Sequence, residues 1–90
     1  MTWKIELAPA AVKELDKLDR QVGQRIRKFL VRLSKLDNPR SLGEALHGSK
    51  LGEFWKYRVG DFRIICSIED DGLVVLVLRI GARKEIYKRI

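Results

Sequence analysis

The sequence predicts an α+β fold of order β-α-α-β-β-β, a helical hairpin packed on a small, mainly antiparallel four-stranded sheet. Three observations carry that expectation. Residues 8–36 place apolar side chains at helical spacing in two stripes. Residues 54–80 form three strand-like runs separated by Gly60-Asp61 and Asp71-Gly72. Residues 3–7 alternate apolar and polar, the pattern of a short half-buried strand. The 90 residues make one domain, 1–90, with room for one modest core.

Each element has a local reason. Pro9 suits the first turn of a helix, and Ala8, Ala11, Val12, Leu15 and Leu18 form its apolar stripe. Asp19 is placed to cap a second helix, whose stripe is Val22, Ile26, Phe29, Leu30, Leu33 and Leu36. Asn38-Pro39 ends it, because the residue before a proline avoids the α region. The short link between the stripes predicts an antiparallel pair. Residues 41–53 read as a glycine-containing loop with room for one helical turn at 42–46. Then 54–59, 62–68 and 73–80 read as strands joined by tight hairpins whose Gly or Asp takes positive φ. The third run is apolar on both faces, which predicts a central strand with the N-terminal strand beside it.

Nineteen Lys and Arg oppose twelve Asp and Glu, for a net charge of +7. Such a surplus on a small domain attracts polyanions or an acidic partner, although it also serves solubility alone. Cys66 is the only cysteine, so an internal disulfide and a multi-cysteine metal site are excluded. The N-terminal stretch has charges at Lys4 and Glu6 and no apolar signal core, and no apolar run reaches membrane-spanning length. A cytoplasmic protein without membrane association is therefore expected.

No HExxH, GxxxxGK[ST], GxSxG or CxxC pattern occurs, and no metal or cofactor is expected. Cys66 lies mid-strand and reads as a core residue; His47, the one histidine, reads as a surface residue in a loop. A basic and aromatic cluster marks the C-terminal half: Trp55, Lys56, Tyr57, Arg58, Arg63, then Arg79, Arg83, Lys84 and Tyr87. A two-residue turn at Gly60-Asp61 pairs Val59 with Phe62 and Arg58 with Arg63, so Lys56, Arg58 and Arg63 share one face. Like charges so close cost stability unless an anion sits between them. A patch of cations and rings suits RNA, where cations meet phosphate and rings stack on bases; a solvated sheet face is the plainer reading. The second helix poses the same choice with Arg25, Lys28 and Arg32, which either face solvent or dock on a phosphate surface.

The string GEFWKYRVGDFRIICSIED, followed by VLVLRIGARKEIYKRI, resembles the RelE branch of the RelE/ParE toxin superfamily, and the order of elements resembles it over nearly the whole chain. The basic strand, the Gly-Asp-Phe-Arg turn, the Gly-x-Arg end of the last strand, the tail tyrosine and the Leu-x-Gly stretch at 46–52 carry the likeness. It implies a type II toxin–antitoxin toxin that cuts mRNA in the ribosomal A site, without a metal. The 2′-OH attacks the adjacent phosphate and leaves a 2′,3′-cyclic phosphate. By position, Lys56, Arg58, Arg63, Arg83 and Tyr87 would be catalytic, and Trp55, Lys84, Arg25, Lys28 and Arg32 would hold RNA. Arg63 and Arg83 would stabilise developing charge, and Lys56 or Tyr87 would be the base.

The expected partners are a neutralising antitoxin, the ribosome and mRNA, with operator DNA reached only through the antitoxin. Ala82 departs from the pattern, since many relatives carry His or Lys there. The segment between Arg83 and Tyr87 is shorter than in some. Two other readings share the fold: a ParE-like inhibitor of DNA gyrase, and a catalytically inactive toxin-fold interaction protein.

Overall fold

In the computed structural model, residues 2–46 and 54–86 are described. They form β1 (Lys4–Leu7), α1 (Pro9–Asp16), α2 (Arg20–Ser34), a 3₁₀ turn (Pro39–Leu42), β2 (Glu44–Ala45), β3 (Phe54–Val59), β4 (Phe62–Glu69), β5 (Val74–Ala82) and α3 (Arg83–Ile86). The fold is α+β, as expected. The sheet has five strands in the order β1-β5-β4-β3-β2, one more than expected because the two-residue β2 adds at the far edge. β5 is an interior strand between β1 and β4, and β1 joins it in parallel with Lys4 opposite Val74. The other pairings are antiparallel.

Local chemistry explains most boundaries. Pro9 opens α1. The Asp19 carboxylate accepts a hydrogen bond from the Gln21 amide and caps α2. α2 ends at Ser34 rather than at Asn38-Pro39; Asn38 instead caps the 3₁₀ turn by accepting from the Arg40 amide at 3.1 Å. The helical turn expected at 42–46 is therefore displaced to Pro39–Leu42, where proline pre-sets φ. In the β3–β4 hairpin Gly60 has φ +58°, and the register is the expected Val59–Phe62 and Arg58–Arg63. The β4–β5 connection differs from the two-residue turn expected. Four residues, 70–73, separate the paired Glu69 and Val74, and Leu73 (φ +52°), not Gly72, takes the left-handed conformation. Leu73 earns that position by packing on the core while its carbonyl accepts from the Lys4 amide.

The core lies between the helices and one face of the sheet. Ala11 and Leu15 of α1, and Ile26, Leu30 and Leu33 of α2, pack against Tyr57, Ile64, Cys66, Val75, Val77 and Ile80, with Trp3 closing one side. On the opposite face Ile86 of α3 packs over Gly81, and both Ile65 and Ile86 are buried.

β5 outlasts β1, so its later backbone groups need another partner. Glu14 of α1 supplies it. Its carboxylate accepts from the Ile80 amide at 3.0 Å and takes Arg79 in a two-pronged pair at 3.1 and 2.9 Å. Arg79, grouped with the basic cluster in the sequence, is thus a fastener of α1 to β5. Glu14→Ala is expected to destabilise the fold by about 2 kcal/mol, by orphaning a backbone donor and a half-buried guanidinium. Urea unfolding should show a lower midpoint with an unchanged m value.

Burial pushes the Cys66 thiol well above its ordinary range. Burial, then the neighbouring Cys66, does the same to the Tyr57 phenol. Both groups stay neutral in the folded chain at pH values where they ionise in the unfolded one. Stability is therefore retained below about pH 8.5 and declines as pH rises through the unfolded-state values near 8.5 and 10. A stability profile by urea titration from pH 7 to 11 should fall on its alkaline side, and Tyr57→Phe should remove the part that begins near pH 10.

Candidate functional site

The face of the β3–β4 hairpin away from the helical core forms a cleft of about 350 Å³ lined, among the described residues, by Leu42, Glu44, Lys56, Tyr57, Arg58, Arg63 and Arg83. Four cations meet there because three features coincide. Strand alternation in β3 turns Lys56 and Arg58 to this face while Tyr57 and Val59 point to the core. The two-residue turn sets Arg63 directly opposite Arg58. Finally, β5 runs into α3 beside that turn, and the Arg83 amide donates to the Asp61 carbonyl at 2.8 Å.

Arg63 is 7% exposed, the one buried charged residue among those described. Its Nη1 donates to the Gly60 carbonyl at 3.0 Å and to the Phe62 carbonyl at 2.9 Å. The turn therefore locks the guanidinium in place, while its Nε and Nη2 donors have no hydrogen-bond partner among the described residues. An anchored guanidinium of this kind suits recognition of a planar or tetrahedral oxyanion. Arg25 of α2 reaches the back of the same turn; a Cβ built on Gly60 would lie 3.2 Å from its Nη2. Positive φ is what requires glycine at position 60, since the Arg25 tip can move aside.

Among the described residues, Glu44 is the one carboxylate lining the cleft. β2 sets it opposite Lys56, and its Oε2 lies 3.6 Å from Lys56 Nζ. Sequence reasoning missed it, since a two-residue strand has no periodicity to read. The available signal was a carboxylate between Gly43 and the apolar Ala45-Leu46 pair, a short alternation leading into the basic strand.

Of the residues expected in the site, Lys56, Arg58, Arg63 and Arg83 come together, while Arg25 lies against Gly60 and does not line the cleft. Lys28 and Arg32 are exposed on α2, and Lys84 is exposed on α3; none lines the cleft. Trp55 is not brought to it. Alternation places Trp55 with Tyr57 on the core side of β3, where the Arg40 guanidinium carbon lies 5.7 Å from its ring centre. Tyr87 and His47 lie outside the described residues, as does most of the Leu-x-Gly stretch. Among the described residues no group of His, Cys, Asp or Glu is arranged to hold a metal ion, and no helix is long and apolar enough to cross a membrane.

A second concavity, of about 480 Å³, lies beside edge strand β1. It is mostly apolar, with Trp3, Ile5, Leu7, Leu15, Leu30 and the exposed Val31 on its walls.

Comparison with known proteins fits this architecture. Residues 5–87 match the family model described as the ParE toxin of the type II toxin–antitoxin system parDE. An Escherichia coli RelE-like toxin protein is 30% identical over 84 residues, covering 93% of this chain and 86% of that protein. The toxin–antitoxin complex RelBE2 of Mycobacterium tuberculosis contains a chain that superposes with a TM-score of 0.81 at 24% identity, over 92% of this chain and 100% of the other. The RelE–RelB complex of Pyrococcus horikoshii gives 0.75 at 25% identity, over 94% and 99%. The sequence match over nearly the whole length, carried by a fold that gathers four cations at the β3–β4 turn, establishes the family: the chain belongs to the ParE toxin family of type II toxin–antitoxin systems and is a toxin of the RelBE/ParDE kind.

Proposed function

We propose that the toxin is a ribosome-dependent, metal-independent endoribonuclease that cuts mRNA in the A site. The observation that carries this reading is the convergence of Lys56, Arg58, Arg63 and Arg83 around one cleft, with Glu44 as the one carboxylate lining it among the described residues. A binding poison needs a surface, whereas cleavage of a phosphodiester needs concentrated positive charge at one phosphate and a group that accepts a proton.

The roles follow from placement. Arg63, locked by the turn, and Arg83, at the mouth, hold the scissile phosphate and stabilise the extra negative charge of the phosphorane. The attacking 2′-OH loses its proton to a group in the cleft. Glu44, paired with Lys56, is placed for this, and Lys56 or Tyr87 is the alternative acceptor. The O–P bond forms at the 2′-oxygen, the P–O bond to the 5′-oxygen breaks, and that oxygen takes up a proton. A 2′,3′-cyclic phosphate and a 5′-hydroxyl remain. Positioning of the RNA by the ribosome supplies the rest of the geometry. Lys84, Arg25, Lys28 and Arg32 contribute long-range attraction to phosphate rather than contact in the cleft.

The partner is an antitoxin, and operator DNA is reached only through it. The apolar groove beside β1 combines an open sheet edge with a hydrophobic trough, which suits an extended or helical antitoxin segment. Expression without antitoxin should stop protein synthesis within one doubling and leave chromosomal DNA intact. Arrest with gyrase-dependent DNA breaks would replace this reading with gyrase inhibition, and unimpaired growth would replace it with an inactive interaction protein.

A further inference from the structure

The wall of the cleft formed by residues 39–45 is held from behind. The Tyr57 hydroxyl donates to the Pro39 carbonyl at 2.8 Å in a buried bond. Arg40 reaches the β4–β5 turn and makes a two-pronged pair with Asp70, at 2.9 and 2.7 Å, while its guanidinium covers Trp55. Gly43 then carries the chain across the Tyr57 ring, where a Cβ would lie 2.8 Å from the ring carbon Cε1. The next residue is Glu44, set opposite Lys56. β3 thus grips this wall with Trp55 and Tyr57 on one face and offers Lys56 and Arg58 to the cleft on the other. Asp70 itself lines no part of the cleft.

We propose that Arg40 and Asp70 are positioning residues for the cleft, their ion pair fixing the 39–45 wall so that Glu44 stays over Lys56. A forked arginine–carboxylate pair imposes direction as well as attraction. Exposed pairs add little to stability, and Asp70 is exposed, so conservation of the fold is not what this pair chiefly serves. The hydrogen bonds from Arg40 hold the Asp70 carboxyl below the ordinary carboxylate range, so the pair persists at neutral pH.

The inference rests on the RNA-cleaving reading of the cleft, and its test separates the two. Asp70→Asn is expected to lower kcat for cleavage by about tenfold with KM changed less than about twofold, since misplacement affects the transition state more than binding. The double exchange Arg40→Asp with Asp70→Arg should restore most of the rate, whereas Arg40→Lys should not, because an ammonium lacks the fork. Independently of cleavage, Asp70→Asn should shift the backbone amide NMR signals of Glu44 and Lys56 while the Tm stays nearly constant. If the wild type cleaves and Asp70→Asn matches its kcat, or if the Glu44 and Lys56 signals stay in place, the positioning role is wrong. If the wild type does not cleave, the functional reading fails and the NMR signals alone decide the positioning role.

Discussion

Arg83→Ala is expected to lower the rate of mRNA cleavage by about 10²–10³-fold while leaving the Tm within about 1 °C of wild type. The magnitude is that of removing one preorganised donor from a developing oxyanion. Arg83 lies at the start of α3, its side chain is exposed, and its backbone amide, not its side chain, holds the Asp61 carbonyl. Truncation therefore removes charge from the cleft without removing a structural contact. Arg63→Ala should abolish activity to a similar degree, but it also frees the Gly60 and Phe62 carbonyls that Nη1 satisfies. Its loss of rate will come with a loss of stability, which makes Arg83 the cleaner probe. Single-turnover cleavage rates, with thermal unfolding of the same preparations, check both.

Tyr57→Ala is expected to destabilise the fold by about 3–5 kcal/mol, the range for emptying a large aromatic from a core. Tyr57 is 1% exposed, packs against Phe29 at 5.6 Å between ring centres and ties Pro39 to β3. In a domain this small such a loss is a large part of the total stability. Tyr57→Phe should lose only about 1–1.5 kcal/mol, the value of the hydrogen bond with its buried carbonyl left unpaired. Because Tyr57 backs the wall that carries Glu44, the Phe variant should lose more cleavage rate than its stability alone accounts for. Equilibrium urea unfolding of the two variants gives the comparison.

Short-range chemistry made much of the fold legible. The Asp19 cap, Pro9, the helical stripes and the β3–β4 register all follow from residues within a few positions of one another. The Gly60-Asp61 turn was the most informative signal, because a two-residue hairpin fixes every pairing beyond it. From it came the shared face of Lys56, Arg58 and Arg63. Arg83 entered by resemblance, and β5 and α3 bring it to the same place.

What stayed illegible depends on distant partners or on very short elements. Glu14 and Arg79 are 65 residues apart, and Arg40 and Asp70 are 30 apart. No local pattern announces either pair, so Arg79 read as one more free cation and Arg40 was passed over. β2 is too short to alternate. The β4–β5 ladder also carries a bulge near Ile65 and Cys66, which shifts the facing of β5 and defeats simple alternation there. Trp55 was grouped with its basic neighbours by proximity along the chain, although strand alternation alone places it on the core side with Tyr57.

Primer extension on a defined mRNA in a purified translation system tests the central claim most directly. The reactions are wild type, Arg83→Ala, and wild type without ribosomes. Cuts confined to A-site codons, present only with ribosomes and lost in Arg83→Ala, are the predicted result. Folded wild-type protein that leaves the mRNA intact on the ribosome would contradict it.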